Sequence, residues 1–407
     1  MGYVAVDNLE QGMIISEDVR DINTRLLLSK GQKIGPKHIR ILKIWGVAEV
    51  NVVGAQPDRT VDTPVDDPEK AMRVQAALEA VFKHMNLQNQ LLKEIYRASA
   101  AYRLKSESCP QSASEFPARN NNEVLSEPDK IRQQIQKIEA KLPEAPTIIS
   151  ELNDVITDPF ATSNDVAQVV NKSPSLAALL LKIVNSAYYG FPSRIDRISR
   201  AVTIIGTKEI SGLALGICVM RAFNDIPAEV IDMQAFIRHS LACGMVARIL
   251  GALKNMEQTE QLFVSGLLHD IGKLIVFKYF PEYTQHYMRL AEASGESVLH
   301  TEKSVLGLNH TQIGRHLLRK WRLPPELENN VVFHHTPAKS PDPIKAGILQ
   351  LADLIANGLG IGTSGERAIP NCDEKTLESI GVSTSTLQMV IRQAIHQLGP
   401  MEAIFSS

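Results

Sequence analysis

The stretch EQLFVSGLLHDIGKLIVFKYF, residues 260–280, decides how this chain is read. Leu262, Val264, Leu267, Leu268, Ile271, Leu274 and Ile275 would cover most of a helix's circumference, and a helix apolar nearly all round belongs inside a protein. Yet Ser265, His269 and Lys273 stack at i, i+4 and i+8, with Asp270 beside them. Charge in an apolar segment is costly unless it is paired or bound to metal. Gly266 and Gly272 flank the polar row. Each costs about 1 kcal/mol against alanine inside a helix, and each lets another atom approach the backbone. Alone, the row reads either as the solvent-facing stripe of an ordinary helix or as one wall of a site.

Outward from this stretch the chain stays helical. From Ile131 onward, SNDVAQVVNKSPSLAALLLKIVNSAYYG holds two helices with a break at Ser173-Pro174. Ser163 and Ser173 are the expected N-caps, and Pro174 fits a first helical position. SRAVTIIGTKEISGLALGICVMRAF gives two more; MQAFIRHSLACGMVARILGALKN, IGRHLLRKW and KAGILQLADLIANGLG continue the pattern. No strand is expected after residue 54, and no internal repeat is visible. The fold class is mainly α, a helical bundle preceded by a small α+β module at residues 1–54. There GMIISEDV, RLLLSKGQKI and VAEVNVV are β-prone, and GPKHIRILKIWGV is a helix from Pro36 to Gly46, with Ile41, Leu42 and Trp45 on its apolar side. Residues 55–129 read as a linker carrying one long helix over about 70–104, with a polar, flexible part at 105–129. Residues 130–362 form the main helical domain and 363–407 a C-terminal helical extension. Val74, Leu78, Val81, Met85 and Leu92 line one side of the 70–104 helix, to pair with a second subunit or to pack on their own chain.

The bulk numbers are those of a globular protein: 407 residues, 44% apolar and 22% charged, with a net charge of −2. That balance points to neither a nucleic-acid nor a membrane partner. The cysteines, Cys109, Cys218, Cys243 and Cys372, lie too far apart for a CxxC zinc ribbon or a disulfide framework. No signal peptide and no apolar run of spanning length is read, so a cytoplasmic location is expected.

Further polar residues stand in apolar helical contexts. His239 shares a face with Cys243, Val246 and Leu250; Asp353 sits in ILQLADLIANGL; His310 lies in GLNHTQIG, and His334 and His335 in VVFHHTPAK. Each has a plain explanation by itself: a core histidine, a paired carboxylate, a helix start, a helix end. Together they are an inventory of imidazoles and carboxylates that suits first-row divalent metals. Carboxylates also allow two ions to be bridged.

The order His239, then His269-Asp270, then Asp353 resembles the H…HD…D pattern of the HD-superfamily metal-dependent phosphohydrolases. LPEAPTIISELNDVITDP, VVNKSPSLAALLLKIVNSAYYG, ISRAVTIIGTKEI and GLNHTQIGRHLLRKWRLPPELENNVVFHH resemble the HDOD domain, the HD-related output domain of bacterial signalling proteins, over residues 131–340. The N-terminal module is similar to one found ahead of HD-GYP domains. The resemblance implies an all-α HD-superfamily bundle and a signal-transduction role with a signalling protein partner or a nucleotide ligand. It implies His239, His269, Asp270 and Asp353 as ligands of a divalent metal (Mn, Fe, Zn, Ni or Mg). His310, His334 and His335 would hold a second ion or touch phosphate. Many HDOD members have lost the HD metal ligands and act in signal transduction without demonstrated catalysis; this chain keeps His239, His269, Asp270 and Asp353. If the site is catalytic, Asp270 and Lys273 carry the chemistry, Lys273 neutralising a phosphate oxygen or, alternatively, pairing with a site carboxylate. TPAKSPDP follows His334-His335, with no GYP triplet, so the resemblance does not extend to cyclic-di-GMP hydrolysis. The resemblance marks NSAYYG as a family signature; with Arg194 it would bind a ligand or partner or, on the reading favoured here, serve packing, Asn185 and Ser186 bonding locally while Tyr188 and Tyr189 fill a helix junction.

Overall fold

The computed structural model describes residues 2–20, 26–44, 47, 49–54, 67–106, 142–186, 189, 191 and 193–405. The N-terminal module consists of β1 (Gly2–Ala5), β2 (Val19–Arg20), β3 (Leu26–Leu28), α1 (Pro36–Ile44) and β4 (Glu49–Val52). β1 pairs antiparallel with β4, from Gly2 opposite Val52 to Ala5 opposite Glu49, and β2 pairs with β3. Val50, Val52, Leu28 and Leu42 close on Ile15 and Ile34 in a core of their own. Three of these strands fall in the β-prone pieces. β1 was not expected, because four residues at the chain start carry no alternation and no preceding turn to mark them. Pro36 opens α1, whereas Trp45, Gly46, Tyr188, Cys109 and the part of the polar stretch beyond Ser106 lie outside the described residues.

The remaining elements are helices: α2 (Pro68–Val81), α3 (Gln90–Lys105), α4 (Thr147–Thr157), α5 (Ser163–Asn171), α6 (Pro174–Val184) and α7 (Ile198–Ile205). There follow α8 (Thr207–Arg221), α9 (Met233–Leu253), α10 (Thr259–Leu268), α11 (Ile271–Tyr279), α12 (Pro281–Ser294) and α13 (Val298–Leu306). The last are α14 (His310–Lys320), α15 (Pro325–Phe333), α16 (Pro343–Leu359), α17 (Glu374–Ile380) and α18 (Thr384–Phe405). They share one core, from Val74 of α2 to Met401 of α18. α9 runs through it, packed on α10, α16 and α18. It has the length and apolar content to cross a membrane, contrary to the sequence expectation, but 83% of its most apolar window is buried inside the protein.

Local chemistry sets the helix boundaries. Ser173 caps α6 with Pro174 as its first residue. α5 is capped by Thr162 rather than Ser163: Thr162 and Asp165 form a reciprocal capping box, which satisfies two backbone donors where Ser163 would satisfy one. Gly206, at φ 123°, separates α7 from α8. Asn185 bonds both the N–H and the carbonyl of Ile195 at 2.7 Å, fixing the chain that leaves α6.

Two helices read as continuous are broken. The 70–104 helix is two, α2 and α3, because the Asn89 side chain accepts from the N–H groups of Leu91 and Leu92 and starts a new helix. Val74, Leu78 and Leu92 are buried in the main core of the same chain, and Arg103 donates to the Gly358 carbonyl at 2.9 Å. The 260–280 helix is also two, α10 and α11, which part at His269-Asp270.

Candidate metal centre

The break at Asp270 makes the site. In an unbroken helix the side chains of residues 269 and 270 would diverge by about 100°. Asp270 instead takes φ −100° and ψ 17° at the start of α11, and its carboxylate does not cap that helix. It turns to the side chains around it: Oδ2 lies 3.3 Å from His269 Nε2 and 2.9 Å from Lys273 Nζ, and Oδ1 lies 3.2 Å from His310 Nε2. α10 and α11 can sit this deep because their glycines meet backbone. A Cβ on Gly266 would stand 2.5 Å from Gly244 Cα of α9, and one on Gly272 would stand 1.8 Å from the His310 carbonyl oxygen.

All seven expected metal ligands come together, as two sets of donors. In the first, His239 Nε2 of α9 is 3.1 Å from Asp353 Oδ1 of α16, and His269 Nε2 is 3.4 Å from the same oxygen. Cys243 completes this set. The second set is Asp270, His310, His334 and His335; His310 Nε2 stands 3.2 Å from His335 Nε2, and His334 Nε2 stands 4.0 Å from Asp270 Oδ1. Asp270 touches both sets, one oxygen toward each. Thus His310 does open a helix and His334 does end one, as their plainer explanations had it, and both also face the centre.

The outward nitrogens of His269, His310 and His334 are engaged, whereas His239 Nδ1 is buried without a partner. His269 Nδ1 donates to the Gly266 carbonyl at 2.8 Å and His334 Nδ1 to the Val331 carbonyl at 2.7 Å. Glu302 Oε2 lies 2.7 Å from His310 Nδ1 and also accepts from the His310 N–H. These bonds orient the three rings so that Nε2 points inward, the arrangement found behind metal-bound imidazoles. Inside the cluster His269 Nε2, Asp270 Oδ1 and His334 Nε2 are buried without a hydrogen-bond partner. Buried polar atoms are rarely left so, and a divalent cation would engage all three. The donor set therefore fits a metal.

Electrostatics agree. Burial works against charge at Asp270, yet His269, Lys273 and His310 hold its carboxyl well below the usual range; the hydrogen bond from His239 and the adjacent His269 ring do the same for Asp353. Burial likewise opposes a charge on His269, but Asp270 and Asp353 outweigh it and lift the ring to about 10. Burial and then the neighbouring rings push His334 down to about 3. Lys273 is itself buried. It bonds Asp270 and Ser364 and stands 3.9 Å from Glu366, the carboxylate pairing that was one of the two roles foreseen for it. Burial raises Glu366 to about 8, against the pull of Lys273.

Glu302, Ser364 and Glu366 escaped the sequence reading. None sits at a spacing tied to the histidines; only the buried context of His310 and Lys273, each in need of a partner, could have pointed to them.

Residues 142–337 match the HDOD domain family. This chain carries an HDOD domain. His239, His269, Asp270, His310, His334 and His335 fall within the matched HDOD residues, and Asp353 reaches the centre from α16, beyond them. Solved structures share the helical fold of this chain at low identity. A candidate phosphohydrolase from Shewanella amazonensis SB2B is 24% identical with a TM-score of 0.55, covering 66% of this chain and 97% of its own. A candidate signal transduction protein from Marinobacter aquaeolei VT8 is 21% identical with a TM-score of 0.54, covering 70% of this chain and 67% of its own. An HDOD domain protein with unknown function from Geobacter sulfurreducens is 18% identical with a TM-score of 0.51, covering 69% and 94%. An uncharacterized protein from Treponema pallidum is 26% identical over 269 residues, 64% of this chain; the HDOD protein spans half the length of that relative.

Proposed function

We propose that this is a bacterial signal-transduction protein whose HDOD domain binds a divalent metal, as one ion or a pair bridged by Asp270, and relays its state to a protein partner or nucleotide ligand. The observation that carries this reading is the convergence of seven His and Asp side chains, from six helices and their ends, on one buried cluster with unsatisfied polar atoms facing inward. Burial favours signalling over turnover: His239, His269, His310 and His334 are fully buried, and only Asp353 and the half-buried His335 give the cluster an edge to solvent.

A second reading is a metal-dependent phosphohydrolase acting on a nucleotide or cyclic dinucleotide, and the two-sided contact of Asp270 favours it. Bound divalent metal would supply a water of lowered pKa and a Lewis acid for a phosphoryl oxygen. His239, His269 and Asp353 would hold one ion and His310, His334 and His335 the other, with Asp270 between them. Lys273 fixes the Asp270 carboxylate, and Glu302 fixes His310.

Elemental analysis of protein purified without chelator tests both readings. One or two ions per chain, lost in Asp270→Ala, are expected; background metal in the unmutated protein overturns both. Hydrolysis of cyclic dinucleotides and generic phosphodiesters, with manganese and iron supplied, separates them. Turnover abolished by Asp270→Ala would establish the phosphohydrolase.

A further inference from the structure

Cys243 lies one turn beyond His239 on the same face of α9. Its Sγ is 3.6 Å from His239 Nε2 and 4.0 Å from Asp353 Oδ1, and its sulfur joins His239, His269 and Asp353 in a set of donor atoms all within 4.8 Å of one another. Metal–sulfur bonds of about 2.3 Å and metal–nitrogen bonds of about 2.0–2.1 Å place neighbouring donors of a tetrahedron about 3.5 Å apart. The observed sulfur-to-imidazole spacing is that of two ligands on one ion. Cys218 and Cys372, the other described cysteines, are only half-buried and belong to neither donor set.

We propose that Cys243 is the fourth ligand, as a thiolate, of the ion held by His239, His269 and Asp353. This position then takes a borderline divalent cation (zinc, iron(II) or cobalt(II)) in preference to magnesium or manganese, because thiolate sulfur is a soft donor. The proposal rests on the metal-binding reading above and refines it. On binding, the S–H bond breaks, its electron pair goes to the metal and the proton goes to solvent, so the thiolate and Asp353 balance the charge of the ion. The second set, Asp270 with His310, His334 and His335, contains no sulfur. The two positions therefore differ in the cation they select.

Cobalt(II) is the probe. The full chain is stripped with chelator, titrated with cobalt and followed by absorption. Visible ligand-field bands should appear together with a sulfur-to-cobalt charge-transfer band in the near ultraviolet. The Cys243→Ser variant should keep ligand-field bands and lose the charge-transfer band. A variant with Cys109, Cys218 and Cys372 all changed to serine should keep both, which assigns the sulfur even if Cys243→Ser does not fold. Ligand-field bands without charge transfer in the unmutated protein would overturn the Cys243 assignment and leave the metal site standing, as would a charge-transfer band that survives Cys243→Ser or is lost with the other three cysteines. No cobalt bands of either kind would remove the metal reading and the thiolate with it.

Discussion

His269 is held between Asp270 and Asp353, and that placement makes it the proton-bearing member of the cluster. Lifted to about 10, the ring is charged at neutral pH in the metal-free protein, whereas His334, lowered to about 3, is already neutral. An incoming cation must therefore displace a proton from His269 but not from His334. Acid favours the protonated ring, so apparent metal affinity should fall by about tenfold per pH unit between about pH 9 and 6 through this residue alone. Isothermal titration in buffers of different ionisation enthalpy would count the released protons; an affinity independent of pH would contradict the assignment. In the metal-free chain the sign follows from the same shift: the stabilising contribution of His269 is complete below its unfolded value of 6.5 and is lost as pH rises through about 10. The candidate ligands were legible at this scale because imidazole and carboxylate in apolar surroundings are chemically conspicuous. Glu302 and Glu366 were not, since one more acidic residue in a helix or loop is unremarkable until its partner is known.

At the scale of elements, the HD pair does its work by ending one helix and starting the next. Periodicity across residues 260–280 is nearly perfect for a single helix, and nothing local announces the break: Asp270 resembles any N-cap residue. At the break the carboxylate that could cap α11 is taken instead by His310 of a distant segment, together with its neighbours His269 and Lys273. The glycines were a better guide, since both were expected to admit a close neighbour and both do. Gly272→Ala would drive a methyl into the His310 carbonyl, forcing α11 away from α14. The expected cost is about 3 kcal/mol, with His310 displaced and metal content reduced. Chemical denaturation with elemental analysis of the variant would check it; wild-type stability and metal content would show that the α11–α14 contact does not position the site. Asn89 teaches the same lesson in reverse. Its cap starts α3 after α2 has ended at Val81, yet the apolar rows of the two helices resume so nearly in phase that the interruption was masked.

For the whole molecule, the metal cluster ties α9, α10, α11, α14, α15 and α16 to one point, so loading it should stabilise the helical body as a unit. At free metal a hundred times Kd the gain is about 2.7 kcal/mol, a rise in melting temperature of roughly 5 °C. Chelation should remove it, and Asp270→Ala should show no response to metal; a melting temperature indifferent to metal in the unmutated protein would sink the assignment. The sequence by itself determined the helical class, the small β-containing module ahead of it, most helix starts and the chemical identity of the ligands, because periodicity, capping and donor type are properties of a few neighbouring residues. Only the tertiary structure decided that His239 and Asp353, 114 positions apart, meet at 3.1 Å, that Asp270 faces both donor sets and that Cys243 joins the first. Those facts depend on how closely separate helices approach, which is set where Gly244 meets Gly266 and Gly272 meets His310, by contacts between segments that no local pattern relates.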